Sequence, residues 1–281
     1  MQQKVKIVTD SSATMEQQWI EKYNIHVIPL TVMIDNVVYI DGVTVERSQF
    51  MGMMEESHSL PKTSQPPIGE FIELYNELGR DGSSIISIHL AQSLSGTVEG
   101  ARQAANIAEA DVTVIDSHYT DQSQAFLVLE AAKMAAEGAS KEEIIARVEQ
   151  MRDHQSKLFM GVANLHNLVE GGRINRVTGM ISSFLNIRIM LEMTDSQLNV
   201  IGKGRGEKFF KRWFEKFKEE LQQQEVVQIG ISHAGVPELA EFFKRELKEL
   251  YPDMHIPTLQ TTPIVATHSG KGAFAIMYTT K

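Results

Sequence analysis

The chain has 281 residues, 42% of them hydrophobic and 22% charged, and its 27 Lys and Arg against 36 Asp and Glu give a net charge of -9. That acidic balance excludes a concentrated basic face for nucleic acid, and the absence of cysteine excludes disulfides and thiolate metal sites. The start, Met1-Gln2-Gln3-Lys4-Val5, carries no apolar leader, and no run reaches the roughly 18 apolar residues of a membrane span, so a cytoplasmic globular protein is expected.

The first half alternates strand and helix patterns. Residues 5–9 read as a buried strand, 14–23 as a helix with Trp19 and Ile20 on its apolar side, and 26–30 as a second strand. Residues 32–34 and 37–40 flank Asp35-Asn36, a hairpin turn. A helix over 47–56 leads to a loop carrying Pro61 to Pro67, and the next helix, 68–78, begins after two prolines. Strand 84–89, helix 97–109, strand 112–116 and helix 124–136 follow, the last closed by Gly138. Ser140 with Glu143 is a capping box for a helix running to about residue 154. This rhythm predicts a parallel sheet covered by helices, with ligands at the carboxyl ends of its strands. Three polar segments would converge there: Thr9-Asp10-Ser11-Ser12, the Ser93 to Thr97 loop, and Asp116-Ser117.

The second half reads as an α+β layer. Strand 158–162 precedes a break at Gly171-Gly172-Arg173-Ile174. Strands 187–194 and 198–202 flank Asp195-Ser196-Gln197 as a hairpin, and a long helix spans 207–224. Strand 227–232, helix 237–251 and strands near 256–259 and 274–279 complete the chain. The predicted fold class is therefore α/β: an N-terminal parallel-sheet domain over 1–157 and a smaller α+β domain over 158–281. Phe209, Phe210, Trp213, Phe214, Phe217 and Leu221 form one face of the 207–224 helix; the stripe suits a core, and the alternative is transient contact with a membrane surface.

The candidate chemistry lies in loops. Thr63-Ser64-Gln65-Pro66-Pro67 and Ser93-Leu94-Ser95-Gly96-Thr97 offer hydroxyls and free N–H groups without a charge, metal ligand or thiol. Such loops suit holding a small anion, a carboxylate for example, better than breaking a bond. Gly96 allows a tight turn and Thr97 can cap the following helix; the plain alternatives are an ordinary N-cap turn and a proline-started helix. His268-Ser269-Gly270-Lys271-Gly272-Ala273 reads as a glycine-flanked loop whose histidine is either exposed or placed to donate. Arg173 is either a solvated residue after a helix end or a partner for an acid. No GxxxxGK[ST] and no strand-following GxGxxG occur, so no nucleotide site is expected, and the nine histidines lack metal-ligand spacing. The 14 methionines suit an irregular core or a malleable binding cavity.

Taken as an ordered set, these segments resemble the DegV family, the fatty-acid-binding proteins that include the lipid-carrying subunit of bacterial fatty acid kinase. The match is carried by Thr9-Asp10-Ser11-Ser12, Pro29-Leu30, Asp41-Gly42, Thr63-Ser64-Gln65-Pro66, Leu94-Ser95-Gly96-Thr97, Ile115-Asp116-Ser117, Gly171-Gly172-Arg173-Ile174 and His268-Ser269-Gly270. The chain departs from the family pattern at Lys271, in His118-Tyr119-Thr120-Asp121, and in Ile187-Arg188-Ile189-Met190, where no proline stands.

The resemblance implies a two-domain α/β fold with one long-chain fatty acid, such as palmitate or oleate, buried between the domains. Thr63 and Ser95 would hydrogen-bond the carboxylate with His268 close by. Ser64, Gly96, Thr97, Asp10, Ser11, Asp116 and Ser117 would support those loops, and Arg173 would sit near a partner contact. It further implies a carrier with no cofactor and no catalysis of its own, the bound carboxylate being phosphorylated by a separate ATP-dependent kinase for lipid metabolism. The competing expectation is a serine acyl hydrolase or transferase using Ser95, His268 and Asp116, although Ser95 lacks a GxSxG elbow.

Overall fold

Apolar runs flanked by helical segments set the first layer. The computed structural model describes residues 4–174 and 187–281; Met1, Gln2 and Gln3 lie outside the described residues. Strand β1 (Val5–Asp10), helix α1 (Gln17–Tyr23) and strand β2 (His26–Ile28) open the chain, followed by β3 (Thr31–Ile34) and β4 (Val37–Ile40). Helix α2 (Arg47–Glu56), strand β5 (Lys62–Ser64), helix α3 (Ile68–Gly79), strand β6 (Ser84–His89), helix α4 (Thr97–Ile107) and strand β7 (Val112–Asp116) complete this part. The main sheet is parallel in the order β2-β1-β6-β7, and every residue of β6 is buried, as expected of a central strand covered on both faces. Val8, Ile28 and Ile85 pack against Phe71 and Tyr75 of α3 and Ala101 and Ala104 of α4. Ile7, Ile86 and Ile88 belong instead to the central cluster.

Asp35 and Asn36 turn the β3–β4 hairpin with φ of 44° and 67°, the paired left-handed conformation of a tight two-residue turn. The structure corrects the loop expected at 61–67. Residues 62–64 form β5, antiparallel to β3 with Val32 opposite Thr63. A three-residue strand has no periodicity of its own; its pairing partner, far off in sequence, creates it.

Helix α5 (Asp121–Ala136) crosses between the layers, and α6 (Lys141–Gln150) starts at the expected box, Ser140 Oγ accepting from Glu143 N–H. After one π turn, Met151–Gln155, the second layer follows: β8 (Ser156–Val162), α7 (His166–Glu170), β9 (Ile187–Thr194), β10 (Gln197–Arg205), α8 (Glu207–Leu221), β11 (Val226–His233) and α9 (Pro237–Leu250). Strand β12 (Thr258–Gln260), helix α10 (Pro263–Ser269) and strand β13 (Phe274–Thr280) close it. This mixed sheet runs β10-β9-β8-β13-β11-β12. Phe210, Phe214, Phe217 and Leu221 of α8 are buried with Phe243 and Leu247 of α9 against Phe274 and Ile276. Four of the six stripe residues are thus core, and Phe209 and Trp213 at its edge are half-buried. Among the described residues no helix is long and apolar enough to cross a membrane.

The other face of the mixed sheet, with Leu158, Met160, Leu191 and Met277, shares one apolar cluster with Ile86 and Leu127. The two layers therefore meet through a common core. Helix α10 is a second correction, because residues around His268 read as a loop. Thr262 caps it by accepting from Val265 N–H, Pro263 occupies the first turn, and Gly270 follows its last residue. A Thr-Pro start and a Gly stop are helix signals; the segment is short enough that the glycines dominated the pattern.

Candidate functional site

A cavity of about 640 Å³, its open mouth included, is lined from both layers. Leu30, Leu94, Leu158, Met160, Leu198 and Ile264 give it apolar walls, and Thr63, Ser95, Arg173 and His268 add polar groups. Thr63, Arg173 and His268 also line an adjoining groove of about 1020 Å³, counted with its opening, which carries Lys62, Asn167 and Glu170. These three side chains thus stand at the boundary between an apolar interior and a polar exterior.

Strand β5 and the last turn of α10 place Thr63 Oγ1 2.8 Å from His268 Nε2. Burial, with Arg173 adding to it, pulls the His268 imidazole down to about 3, so it is neutral at physiological pH. Gly171, which ends α7, lies against the same ring: a Cβ there would stand 2.5 Å from His268 Nδ1. Arg173 donates through Nε to the Leu94 carbonyl at 2.8 Å and through Nη1 to the Gly171 carbonyl at 2.6 Å. Burial lowers its pKa from the ordinary value, yet a guanidinium stays charged in proteins. Among the described residues it has no carboxylate partner, so its charge is available at the cavity mouth.

The Ser95 loop reaches the cavity from the end of β6. Ser95 Oγ lies 2.9 Å from Thr97 Oγ1 and accepts from Thr97 N–H at 3.3 Å. Thr97 was expected to cap α4, but Gly96 holds the cap position without a side-chain bond and the Thr97 hydroxyl turns to Ser95. The two hydroxyl-rich segments touch: a Cβ on Gly96 would collide with Gln65 Oε1. The Ser93 hydroxyl donates to the Ser196 carbonyl in the β9–β10 turn, tying this loop to the second layer. Ser64 is exposed, and as the strand neighbour of Thr63 it faces away from the cavity.

The remaining expected residues lie beneath the site. Asp10 is fully buried; its Oδ2 accepts from Leu90 N–H at 3.0 Å and lies 2.9 Å from His89 Nδ1. Burial would raise its pKa, but the His89 contacts and its other hydrogen bonds hold it below the ordinary value. Ser11 Oγ accepts from Leu30 N–H, fixing one cavity wall. Asp116 accepts from Gln92 N–H and from His118 N–H, which anchors the base of the Ser95 loop, and Ser117 bonds within its own turn to Tyr119. No hydrogen bond joins Ser95, His268 and Asp116 among the described residues; each is engaged elsewhere. The Asp-His-Ser order instead appears in Asp10, His89 and Ser87, with His89 Nε2 2.7 Å from Ser87 Oγ, and all three are wholly buried.

Three features escaped the sequence reading. Gly171 carries a packing role against His268, Leu94 uses its carbonyl for Arg173, and Asp121 lines the cavity from the start of α5. Asp121 accepts from Ser232 Oγ at 2.6 Å and Thr261 Oγ1 at 2.7 Å, partners 111 and 140 residues away that no local pattern could reveal.

Comparison with known proteins agrees with this architecture. A family model described as "Uncharacterised protein, DegV family" matches residues 4–281. A DegV domain-containing protein of Streptococcus pneumoniae serotype 4 is 48% identical over 274 residues, covering 98% of each chain. The crystal structure of DegV from Bacillus subtilis, described as a fatty acid binding protein, superposes with a TM-score of 0.90 at 30% identity, over 99% of this chain and 100% of that one. A fatty acid binding DegV family protein from Streptococcus agalactiae gives 0.89 at 26% identity, over 99% of each. This chain belongs to the DegV family.

Proposed function

We propose that the protein binds one long-chain fatty acid of the palmitate or oleate class, its tail in the cavity and its carboxylate at Thr63, Ser95 and His268. The observation that carries this reading is the cavity itself, apolar on its walls and ending at the Thr63–His268 pair and the Arg173 charge. Burying an alkyl tail contributes ~0.8 kcal/mol per CH₂. A neutral His268 donating from Nε2 to Thr63 Oγ1 leaves the threonine proton free for a carboxylate oxygen. Ser95 supplies a second hydroxyl, and Arg173 offsets part of the buried negative charge. The fatty acid binding described for the Bacillus subtilis relative supports the same reading.

On this reading the chain divides near residue 157, with the acid between the 1–157 and 158–281 domains. The groove shared by Thr63, Arg173 and His268 opens the carboxylate to the outside. A separate ATP-dependent fatty acid kinase would reach it there, with Arg173 at the contact, and the carrier itself would work in the cytoplasm without a cofactor. Native mass spectrometry of the purified protein, followed by lipid extraction, tests the proposal. One C16 to C18 acid per chain is expected; a mass unchanged after incubation with palmitate and oleate would overturn it.

A further inference from the structure

The acyl cavity carries polar side chains that the carboxylate does not use. A smaller recess, about 190 Å³ with its opening to solvent counted, shares Asp121, Met160, Val265 and Ser269 with it. Both carboxyl oxygens of Asp121 are already engaged, by Ser232 and Thr261. Two neighbours are not engaged. Ser269 Oγ and His233 Nδ1 are buried atoms that, among the described residues, have no hydrogen-bond partner. Ser269, only 6% exposed, lines both spaces, and His233 lines the smaller one. Burial lowers the His233 pKa from its ordinary value, which favours a neutral ring with one accepting nitrogen.

Native proteins leave few buried polar groups unpaired, and each is costly. A saturated tail offers these two atoms nothing. A tail carrying one hydroxyl offers both an acceptor for the Ser269 O–H and a donor for the imidazole.

We propose that Ser269 and His233 form a second hydrogen-bonding subsite where the smaller recess adjoins the acyl cavity, which recognises a hydroxyl group borne on the chain of a long-chain fatty acid. The inference rests on the fatty-acid reading above and adds a specificity to it. Its test is calorimetric titration of the delipidated protein with stearate and with 9-, 10- and 12-hydroxystearate, repeated on Ser269→Ala and His233→Phe.

At least one hydroxystearate is expected to bind wild type more tightly than stearate does. Ser269→Ala should weaken that isomer about fivefold more than it weakens stearate, since a single buried hydrogen bond is worth about that ratio. His233→Phe should give the same selective loss. Hydroxystearates all binding tenfold weaker than stearate, or a Ser269→Ala effect equal on both kinds of acid, would overturn the subsite. A wild-type protein that binds stearate but gains nothing from any hydroxyl position does the same, the recess then being served by water. Failure of stearate itself to bind is a separate result, and it removes the carrier reading.

Discussion

Thr63 Oγ1 and His268 Nε2 meet at 2.8 Å across 205 residues of sequence, one from a three-residue strand of the first layer and the other from a seven-residue helix of the second. The contact joins the two layers at the mouth of the cavity. On the proposed reading the two tasks divide: His268 holds the threonine hydroxyl in place, and Thr63 presents its proton to the ligand.

Thr63→Val tests that pairing with little change of shape. It removes the hydroxyl and leaves the imidazole of a largely buried histidine without its partner. Fatty-acid affinity should fall by roughly 5- to 150-fold, the range for a lost hydrogen bond to a charged or buried group. Thr63→Ser keeps the hydroxyl and should retain most of the affinity. Fluorescent fatty-acid displacement on all three proteins measures this, and equal affinities for wild type and Thr63→Val would refute the carboxylate assignment.

The His268 environment makes a pH prediction with a definite sign. In the folded chain its pKa is about 3, against an ordinary value of 6.5, because burial disfavours the charged ring. Above 6.5 both folded and unfolded forms are neutral, and the residue adds no pH dependence. Between 6.5 and about 3 the unfolded chain binds a proton that the folded chain does not, so stability falls as pH drops through that window. His26 and His233 are lowered in the same direction, which makes the comparison with a variant essential. His268→Gln should lose less of its urea midpoint between pH 7.5 and pH 5 than wild type does. Identical losses would mean that His268 is not buried as a neutral ring.

The sequence made the architecture readable where periodicity was long and local. The β6 run, the Ser140 capping box of α6 and the Asp35-Asn36 turn needed only neighbouring residues, and they appear where expected. Thr63, Ser95, Arg173 and His268 read in the sequence as residues of separate loops, and the structure lines one cavity with all four. What stayed hidden was whatever depends on distant partners. β5 exists only because β3 pairs with it, and Ser64 loses its place in the site because strand alternation turns it outward. The contact of Gly171 with His268 is likewise a property of packing between α7 and α10, not of either segment alone.

That contact is itself testable. Gly171 sits at φ −73°, a conformation open to any residue, so an alanine meets no backbone strain. Its Cβ would nevertheless stand 2.5 Å from His268 Nδ1 and 2.8 Å from the Asn167 carbonyl. The histidine must shift, and the Thr63 bond stretches with it. Overpacking of this kind typically costs ~1–3 kcal/mol. Gly171→Ala should keep its circular dichroism spectrum yet bind fatty acid several-fold more weakly. Unaltered binding would show that the ring has room to move without losing Thr63.

The buried relay of Asp10, His89, Ser87 and Tyr75 makes the last prediction. Asp10 Oδ2 lies 2.9 Å from His89 Nδ1, His89 Nε2 lies 2.7 Å from Ser87 Oγ, and Ser87 Oγ lies 2.8 Å from Tyr75 OH. The order is that of a hydrolytic triad, yet Asp10, His89, Ser87 and Tyr75 are all shut from solvent, so no ester can reach the serine. The relay instead fixes the ends of β1 and β6, because Asp10 also holds Leu90 N–H and Ser12 N–H just ahead of the Ser95 loop. Asp10→Ala strands those groups in the interior, and loss of one partner from a buried pair costs about 3–5 kcal/mol. Against a typical total of about 5–15 kcal/mol, the variant should unfold at a much lower urea concentration. Ser87→Ala, which removes one neutral hydroxyl, should cost nearer ~1 kcal/mol. Neither change should alter p-nitrophenyl ester turnover, which is expected to stay at the buffer rate. Turnover present in wild type and abolished in Ser87→Ala would mean that the interior opens and that the relay works as an active site.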